Sequence, residues 1–392
     1  MKHPAFPNGI TREALVDWYR AIRVRTKSLF DIITPDAYYD RPIALRNPIV
    51  FYEGHLPAFA VNTLVKLTQK REGIDARLED LFARGIDPES EDAIKDPTDV
   101  WPSRADVQAY NTKAEQLIEE TLAESEMVEA TFTILEHELM HQETLLYMLH
   151  QLPYEKKSAF AVAPGVSPGK QARNEAISIP RGRAILGAPR DGRFGWDNEF
   201  PELTVDVDAF TIDAHNVTNG EYLEFLSETG ASAPHFWDDG HWRGLFERIP
   251  LPLDWPVYVT HEQAEAYARW RGARLPTEAE FHRALGDEPI GAGNYDFLNT
   301  EPVPVGSYEP NALGIYDLAG NGWEWTSTLF EPFPGFEPMP SYLQYSADFF
   351  DGKHYVMKGA SPATARELLR PSFRNWFRPN YPYVYATFRT VR

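Results

Sequence analysis

The sequence predicts an α+β protein, a helical bundle followed by a loop-rich domain of short strands. Long amphipathic patterns fill residues 1–160, and short strand-like pieces with many Gly, Trp and Asn fill residues 181–392. Between them, residues 161–180 are rich in Pro, Gly and small side chains, which is typical of a linker. Within the second domain, residues 261–285 are the clear helical exception. A chain of 392 residues is long enough for two domains with separate cores.

Four helices are predicted in the first domain. The first spans residues 11–35 with Thr11 as its N-cap, and the second follows the Asn47-Pro48 turn. The third begins after Ser103, and the fourth and longest stops before Pro153. Four consecutive helices of this kind indicate an up-and-down bundle, whose core can hold a metal ion.

Composition and charge narrow the classes of function. The chain has 58 acidic and 38 basic residues, a net charge of −20. Such an acidic surface repels phosphate backbones and anionic lipids, so we expect neither nucleic acid nor a membrane as a partner. The N-terminal residues lack the apolar core of a signal peptide and no apolar run is long enough to span a bilayer, which predicts a cytoplasmic location. The absence of cysteine excludes disulfides, thiolate metal sites and cysteine nucleophiles.

The segment "HELMH" at residues 137–141 matches the HExxH signature of zinc proteases. Histidines at i and i+4 of a helix project from one face, about 5–6 Å apart at Cβ, and can bind one metal ion. The extended protease motif requires Gly and His downstream, where this chain has Thr144 and Tyr147. The pattern therefore favours a metal site and disfavours a protease.

His55 is the candidate for a third ligand beside His137 and His141, because it lies in the apolar helical pattern "FYEGHLPAF" of the same bundle. Three imidazoles leave positions on an ion open for small molecules. Neutral imidazoles suit Fe(II), Cu and Zn alike, so the residues alone leave the metal open. The alternative interpretation of His55 is a structural hydrogen bond to a neighbouring helix.

Two sets of motifs extend over nearly the whole chain. In the first domain, Gly54-His55 precedes an HxxxHxE pattern at 137–143. In the second, "GWDNEFP", "VTNGEYLEF", "RLPTEAEFHRA", "GNGWEWTS", "VMKGAS" and "RPSFRNWFRP" follow in order before "FRTVR". Together they resemble the nonheme iron sulfoxide synthases of thiohistidine biosynthesis, typified by ergothioneine synthase.

The resemblance implies a fold in which a DinB-like four-helix bundle joins a domain similar to formylglycine-generating enzyme, which is C-type-lectin-like. Formylglycine-generating enzymes use cysteines for their oxidation, and this chain has none, so that activity is excluded. Most motif residues of the second domain, such as Arg274 and Glu324, are expected to hold loops together because a strand-poor domain needs buried rings and paired charges.

The resemblance also implies the chemistry. Fe(II), held by the three histidines, would bind the imidazole of hercynine (N-α-trimethylhistidine), a thiolate and O2, and the reaction would join sulfur or selenium to imidazole C2. In the family a tyrosine hydroxyl near the iron donates a proton. The matching stretch "SYLQYSADFFDG" assigns this role to Tyr342 and places Tyr345 nearer the substrate amine. The alternative is that both tyrosines only pack loops.

The substrate-binding residues implied by the resemblance are Asn375, Trp376 and Phe377. Asn375 would hold the carboxylate of hercynine, and the two rings would wall its trimethylammonium group, since ring faces attract a cation that cannot donate hydrogen bonds. Phe377 and Met140 stand where relatives that use γ-glutamylcysteine carry Asp and Gln. The absence of both polar groups disfavours γ-glutamylcysteine as the donor. The stretches "FYEGHLPAFAVNTL" and "LFARGIDP" resemble selenoneine synthase, which takes selenium from a selenosugar, more than ergothioneine synthase, which uses cysteine or γ-glutamylcysteine.

Two other interpretations remain open from the sequence. A degenerate family member would bind hercynine or another betaine without catalysis. Ovothiol synthase is similar around "FYEGH", but the chain ends after "FRTVR" without the methyltransferase of that enzyme. The arginines that would bind the donor are not specified by any motif, and Arg77, Arg84 and Arg104 are candidates.

Overall fold

The computed structural model describes residues 10–83, 101–126, 128–158 and 174–392, which form two units. The first unit contains the described part of residues 1–160 together with the short segments 192–194 and 340–342. The second contains the rest of the described chain. Of the predicted linker, residues 161–173 lie outside the described residues.

The first unit is built from helices. They are α1 (Arg12–Phe30), α2 (Ile49–Ala60), α3 (Ala76–Leu81), α4 (Arg104–Glu124) and α5 (Val128–His150), and a π-helix at Val61–Thr68 continues α2. The four long helices form a closed bundle, since α1 and α2 each pack against both α4 and α5. All twelve residues of α2 are buried, which explains why its sequence is apolar all round. No described helix is both long enough and apolar enough to cross a bilayer.

The predicted first helix was too long at its C-terminal end. Its N-cap is confirmed, because the Thr11 side chain accepts a hydrogen bond from the backbone N–H of Ala14. The helix ends at Phe30, however, and Ile33 instead forms a β-bridge with Lys157. Pro35 accounts for the extended backbone of Thr34, because proline disfavours helical backbone in the residue before it.

The second unit combines short strands with three helices, which confirms the α+β class. The helices are α6 (Asn219–Thr229), α7 (His261–Trp270) and α8 (Glu278–Leu285). The strands are β1 (Ala176–Ile179), β2 (Gly182–Leu186), β3 (Leu203–Val207), β4 (Phe210–Asp213), β5 (Trp237–Asp238), β6 (His241–Arg243), β7 (Arg248–Pro250), β8 (Gly322–Leu329), β9 (Tyr355–Ala360), β10 (Asn375–Phe377) and β11 (Ala386–Thr387). They form sheets in the orders β1-β4, β2-β3, β5-β6-β7 and β10-β9-β8-β11.

Two segments of this unit differ from the prediction. β1 lies inside the predicted linker, where Ile179 is buried and Ile177 half-buried while their neighbours are exposed, the alternation of a strand with one face on the core. The single helical pattern at 261–285 is two helices. Gly272, with φ 64°, ends the first, and Pro276 lacks the N–H that a continuous helix would need.

Motif residues of the second unit pair with each other in its interior. Arg389 donates to both carboxylate oxygens of Glu324 at 2.6 and 2.7 Å, and both side chains are fully buried. Arg274 makes the same two-bond pair with Glu280 at 2.7 and 2.6 Å, although half of its side chain is exposed. The expectation that Glu324 and Arg274 are structural is confirmed by these contacts.

Candidate metal centre

Three histidines from two helices converge in the first unit. His55 projects from α2, and His137 and His141 project from α5. Their potential ligand nitrogens all lie within 4.8 Å of one another. Nitrogens bound to one ion at about 2.1 Å lie no more than about 4 Å apart, so sub-ångström adjustments bring this set onto a single ion.

The surroundings keep these imidazoles neutral, which is the form that binds metal. Burial lowers the pKa of His55 to about 4. Burial, followed by the charges of the neighbouring histidines, holds the pKa of His137 well below its usual value. For His141, burial again acts first, followed by His55 and Arg46. Among the described residues, the buried Nδ1 of His137 has no hydrogen-bond partner, which marks a polar atom that a ligand would satisfy. The residues therefore fit a metal ion.

Aromatic rings fix the orientation of the imidazoles. Phe59 stacks on His137 with ring centroids 3.6 Å apart, and Phe51 stacks on His55 at 4.8 Å. Phe59 was not predicted as a site residue. Its position four residues after His55 is the signal that could have identified it, because residues i and i+4 share a helix face.

Glu138, which stands at the position of the general base in the protease signature, is bound to residues of α1. It is 2% exposed, and its Oε1 accepts hydrogen bonds from Arg23 at 2.7 Å and from Thr26 at 2.6 Å, both on α1. One residue along a helix is a rotation of about 100°, so Glu138 and His137 face different neighbours. These contacts make Glu138 a structural anion between α1 and α5.

Tyr342 reaches the three-histidine cluster because its segment is attached to α5. The backbone N–H of Ser341 donates to Glu129 at 2.9 Å, and the Ser341 and Thr133 hydroxyls lie 3.0 Å apart. Glu129, Thr133 and His137 follow one another at i, i+4 and i+8 along one face of the helix. The Tyr342 ring consequently lies 6.1 Å from the ring of His137, and 5.1 Å from that of Phe59.

Tyr345 belongs to an aromatic cluster of the second unit. Its ring stacks on Trp196 at 3.9 Å and meets Trp376 edge-on at 5.3 Å. Trp376 also stacks on Phe330 at 4.2 Å. Trp196 and Tyr345 are buried and Trp376 is half-buried, so Trp376 is the member of the three that is partly exposed. Trp196 lies in the "GWDNEFP" motif, which identified the segment but not this role.

The structure separates the two rings that were expected to share one wall. β10 is a strand, so Trp376 points to one face of its sheet while Asn375 and Phe377 point to the other. Phe377 stacks on Tyr381 at 5.1 Å, outside the Trp376 cluster. The Asn375 side-chain oxygen accepts from the backbone N–H of Trp376, which leaves its NH2 group as the donor.

The remaining candidates are less closely tied to the cluster. Met140 is half-buried on α5 beside His141. Arg104 donates to the Glu53 carboxylate and to the carbonyl of Phe30, a structural role. Arg77 is exposed on α3, and Arg84 lies outside the described residues.

A cluster of three histidines that could hold a metal ion lies in a helical unit, and the same chain contains a loop-rich α+β unit; together they define the class of this protein. Residues 163–297 and 290–392 match the sulfatase-modifying factor enzyme 1-like domain family. Hercynine oxygenase of Mycolicibacterium smegmatis is 31% identical over 97% of this chain and 99% of its own length. The chain belongs to the sulfatase-modifying factor enzyme 1-like domain family and, within it, to the ergothioneine synthase family.

Two fungal relatives are longer. Ergothioneine biosynthesis protein 1 of Schizosaccharomyces pombe is 29% identical over 97% of this chain and 56% of its own length. The protein of the same name in Neurospora crassa is 28% identical over 100% of this chain and 59% of its own length. The chain thus spans little more than half the length of these relatives.

Proposed function

We propose that this protein is an O2-dependent nonheme iron enzyme that forms a carbon–selenium or carbon–sulfur bond at imidazole C2 of hercynine. The observation that carries the proposal is the cluster of three neutral histidines with Tyr342 beside it. Its likeness to hercynine oxygenase supports the substrate.

The overall reaction balances without a further reductant. The C2–H bond of hercynine and the Se–H or S–H bond of the donor break, and a C–Se or C–S bond forms. One oxygen atom of O2 becomes the oxide on selenium or sulfur, and the other leaves as water with both hydrogens. Fe(II) held by His55, His137 and His141 would supply one-electron reduction of O2 and adjacent positions for the reactants.

The protein's own residues would bind and orient the substrate. The half-buried Trp376, which contacts Tyr345, suits a trimethylammonium group, because a quaternary cation is attracted to ring faces and forms no hydrogen bonds. The carboxylate and the trimethylammonium group of hercynine are borne by one carbon, so Asn375, which points to the opposite face of β10 from Trp376, is not proposed to hold that carboxylate beside it.

Apolar residues support a selenosugar as the donor. The resemblance drawn from the sequence implies that Met140 and Phe377 stand where thiol-using members of the family carry polar side chains. Phe377 stacks on Tyr381, and Tyr383 meets Tyr381 edge-on at 5.2 Å. The electron-rich faces of such rings attract the polarised C–H bonds of a sugar, whereas an amino-acid thiol would need charged partners.

Product analysis with competing donors tests this proposal. The protein is loaded anaerobically with Fe(II) and then given hercynine, O2 and an equimolar mixture of a selenosugar, cysteine and γ-glutamylcysteine. We expect mass spectrometry to detect a hercynine–selenium adduct as the main product, and none with metal-free protein. Detection of sulfur adducts without a selenium adduct would assign the protein to the ergothioneine branch. If the iron-loaded protein forms no adduct at all, the proposal is refuted.

Removing the Tyr342 hydroxyl tests its role as proton donor. We expect Tyr342→Phe to lower adduct formation by about 100-fold, the lower end of the range for general acid catalysis, while iron content stays at the wild-type level. Leu343→Ala is the matched control, because Leu343 is the next residue and is 56% exposed. Wild-type turnover in Tyr342→Phe would show that the ring only packs against Phe59 and His137.

A further inference from the structure

A backbone carbonyl after α3 contacts one of the three site histidines. Nδ1 of His55 lies 2.8 Å from the carbonyl oxygen of Phe82, and both residues are buried. A carbonyl oxygen only accepts hydrogen bonds, so Nδ1 must carry the hydrogen and Nε2 must carry the free lone pair. This contact therefore determines which nitrogen of His55 is available to a metal ion.

We propose that Phe82 is a positioning residue of the metal centre, whose carbonyl holds the His55 ring with Nε2 available to the ion, and that Gly54 and Glu79 keep this carbonyl in place. The inference rests on the proposed metal-dependent function. In metal sites generally, the partner of the second imidazole nitrogen fixes the ring orientation and changes metal affinity by about 10–100-fold.

The Phe82 carbonyl is available because α3 ends there. Phe82 is the C-cap residue of α3, and its own N–H donates to the carbonyl of Leu78 at 2.9 Å. The last carbonyls of a helix have no partner within the helix, so they bind side chains or water. His55 supplies that partner in the buried interior of the first unit.

Gly54 permits the close approach of Phe82. A Cβ atom at position 54 would lie 2.4 Å from the Phe82 ring, which is too short for any carbon–carbon contact. The ring cannot easily retreat, because it also packs against Phe51 and Trp101 with centroids 6.4 and 6.1 Å away. A glycine directly before His55 is therefore required for the carbonyl to reach Nδ1.

Glu79 ties α3 to the helix that carries His55. Its carboxylate, 1% exposed, accepts from the backbone N–H of Ile74 at 2.6 Å and from Lys66 Nζ at 3.0 Å. Its backbone carbonyl accepts from the side chain of Asn62 at 3.1 Å. Asn62 and Lys66 lie on the π-helix that continues α2. These bonds connect α3, which ends at the Phe82 carbonyl, to the helix that carries the His55 imidazole.

Two measurements on metal-free protein test the inference. In long-range 1H–15N spectra of the full chain, we expect His55 to show a hydrogen on Nδ1 and none on Nε2. In titrations with Co(II) followed by visible absorption, we expect Gly54→Ala to bind at least tenfold more weakly than wild type. In a Phe82→Ala background, which removes the ring but keeps the carbonyl, Gly54→Ala should have less than a threefold effect.

The outcomes that overturn the inference are distinct from those that bear on the proposed function. A hydrogen on Nε2 of His55, or wild-type Co(II) affinity in Gly54→Ala, would refute it. If Gly54→Ala fails to fold, the inference is still tested by the spectra of the wild type and by the Co(II) affinities of Phe82→Ala with and without Gly54→Ala. A protein with the expected tautomer and Co(II) affinities that makes no hercynine adduct would count against the proposed reaction alone.

Discussion

His137→Ala is expected to abolish iron binding and, with it, the proposed oxygenase activity. His137 is central to the site, since its ring lies 4.4 Å from His141 and 5.2 Å from His55. Changes beyond the ligands themselves weaken metal sites by about 10–100-fold, so loss of a ligand should cost at least the upper figure. We expect metal analysis after anaerobic Fe(II) loading to find less than about a tenth of the wild-type iron.

A matched control separates this effect from a general loss of structure. His241→Ala removes a histidine that bonds to the backbone of Asp239 in the second unit, and it should retain wild-type iron. Iron should also stabilise the wild type against heat, because a ligand that binds only the folded state raises its stability, and it should not stabilise His137→Ala. Full iron occupancy in His137→Ala would exclude the three-histidine site.

Arg389→Met is expected to lower the free energy of unfolding more than any other substitution proposed for this protein. The substitution leaves the fully buried Glu324 carboxylate without its cation and also removes the hydrogen bonds that Arg389 donates to the carbonyls of Asp213, Ala214 and Tyr316. Removing one partner of a buried ion pair costs about 3–5 kcal/mol. We expect denaturant unfolding followed by tryptophan fluorescence to show a decrease of this size in the free energy of unfolding.

The same substitution at Arg274 provides the comparison. Arg274 pairs with Glu280 through the same two-bond geometry, but its side chain is 51% exposed. Water can solvate the Glu280 carboxylate once the half-exposed cation is removed, so Arg274→Met should lower the free energy of unfolding by about 1 kcal/mol or less. Equal losses from the two variants would show that burial does not set the strength of these pairs.

The helical geometry of the site was predictable from sequence, and its tertiary partners were not. Residues four apart on a helix share a face whatever the fold, so His137 and His141 could be paired from their spacing. The rotation of about 100° per residue also predicts that Glu138 faces a different direction from His137, but it does not predict which residues Glu138 contacts. Its bonds to Arg23 and Thr26 depend on how α1 packs, which no local pattern records.

The roles of Tyr342 and Phe377 show two further limits. Tyr342 was assigned by resemblance, and its placement depends on bonds from Ser341 to Glu129 and Thr133, more than 200 residues earlier in the chain. Trp376 and Phe377 are adjacent in sequence and were expected to act together. The period of two in a strand places them on opposite faces, and only the assignment of β10 could reveal this.

The tyrosine beside the histidines is encoded far from them. Residues 340–342 group with the helical unit although the chain between them and α5 builds most of the other unit. A fragment of the gene covering only the helices would encode all three imidazoles and lack the phenol. Under the proposed function, a descendant that kept only the helices would therefore keep the three metal ligands and lose the proton donor.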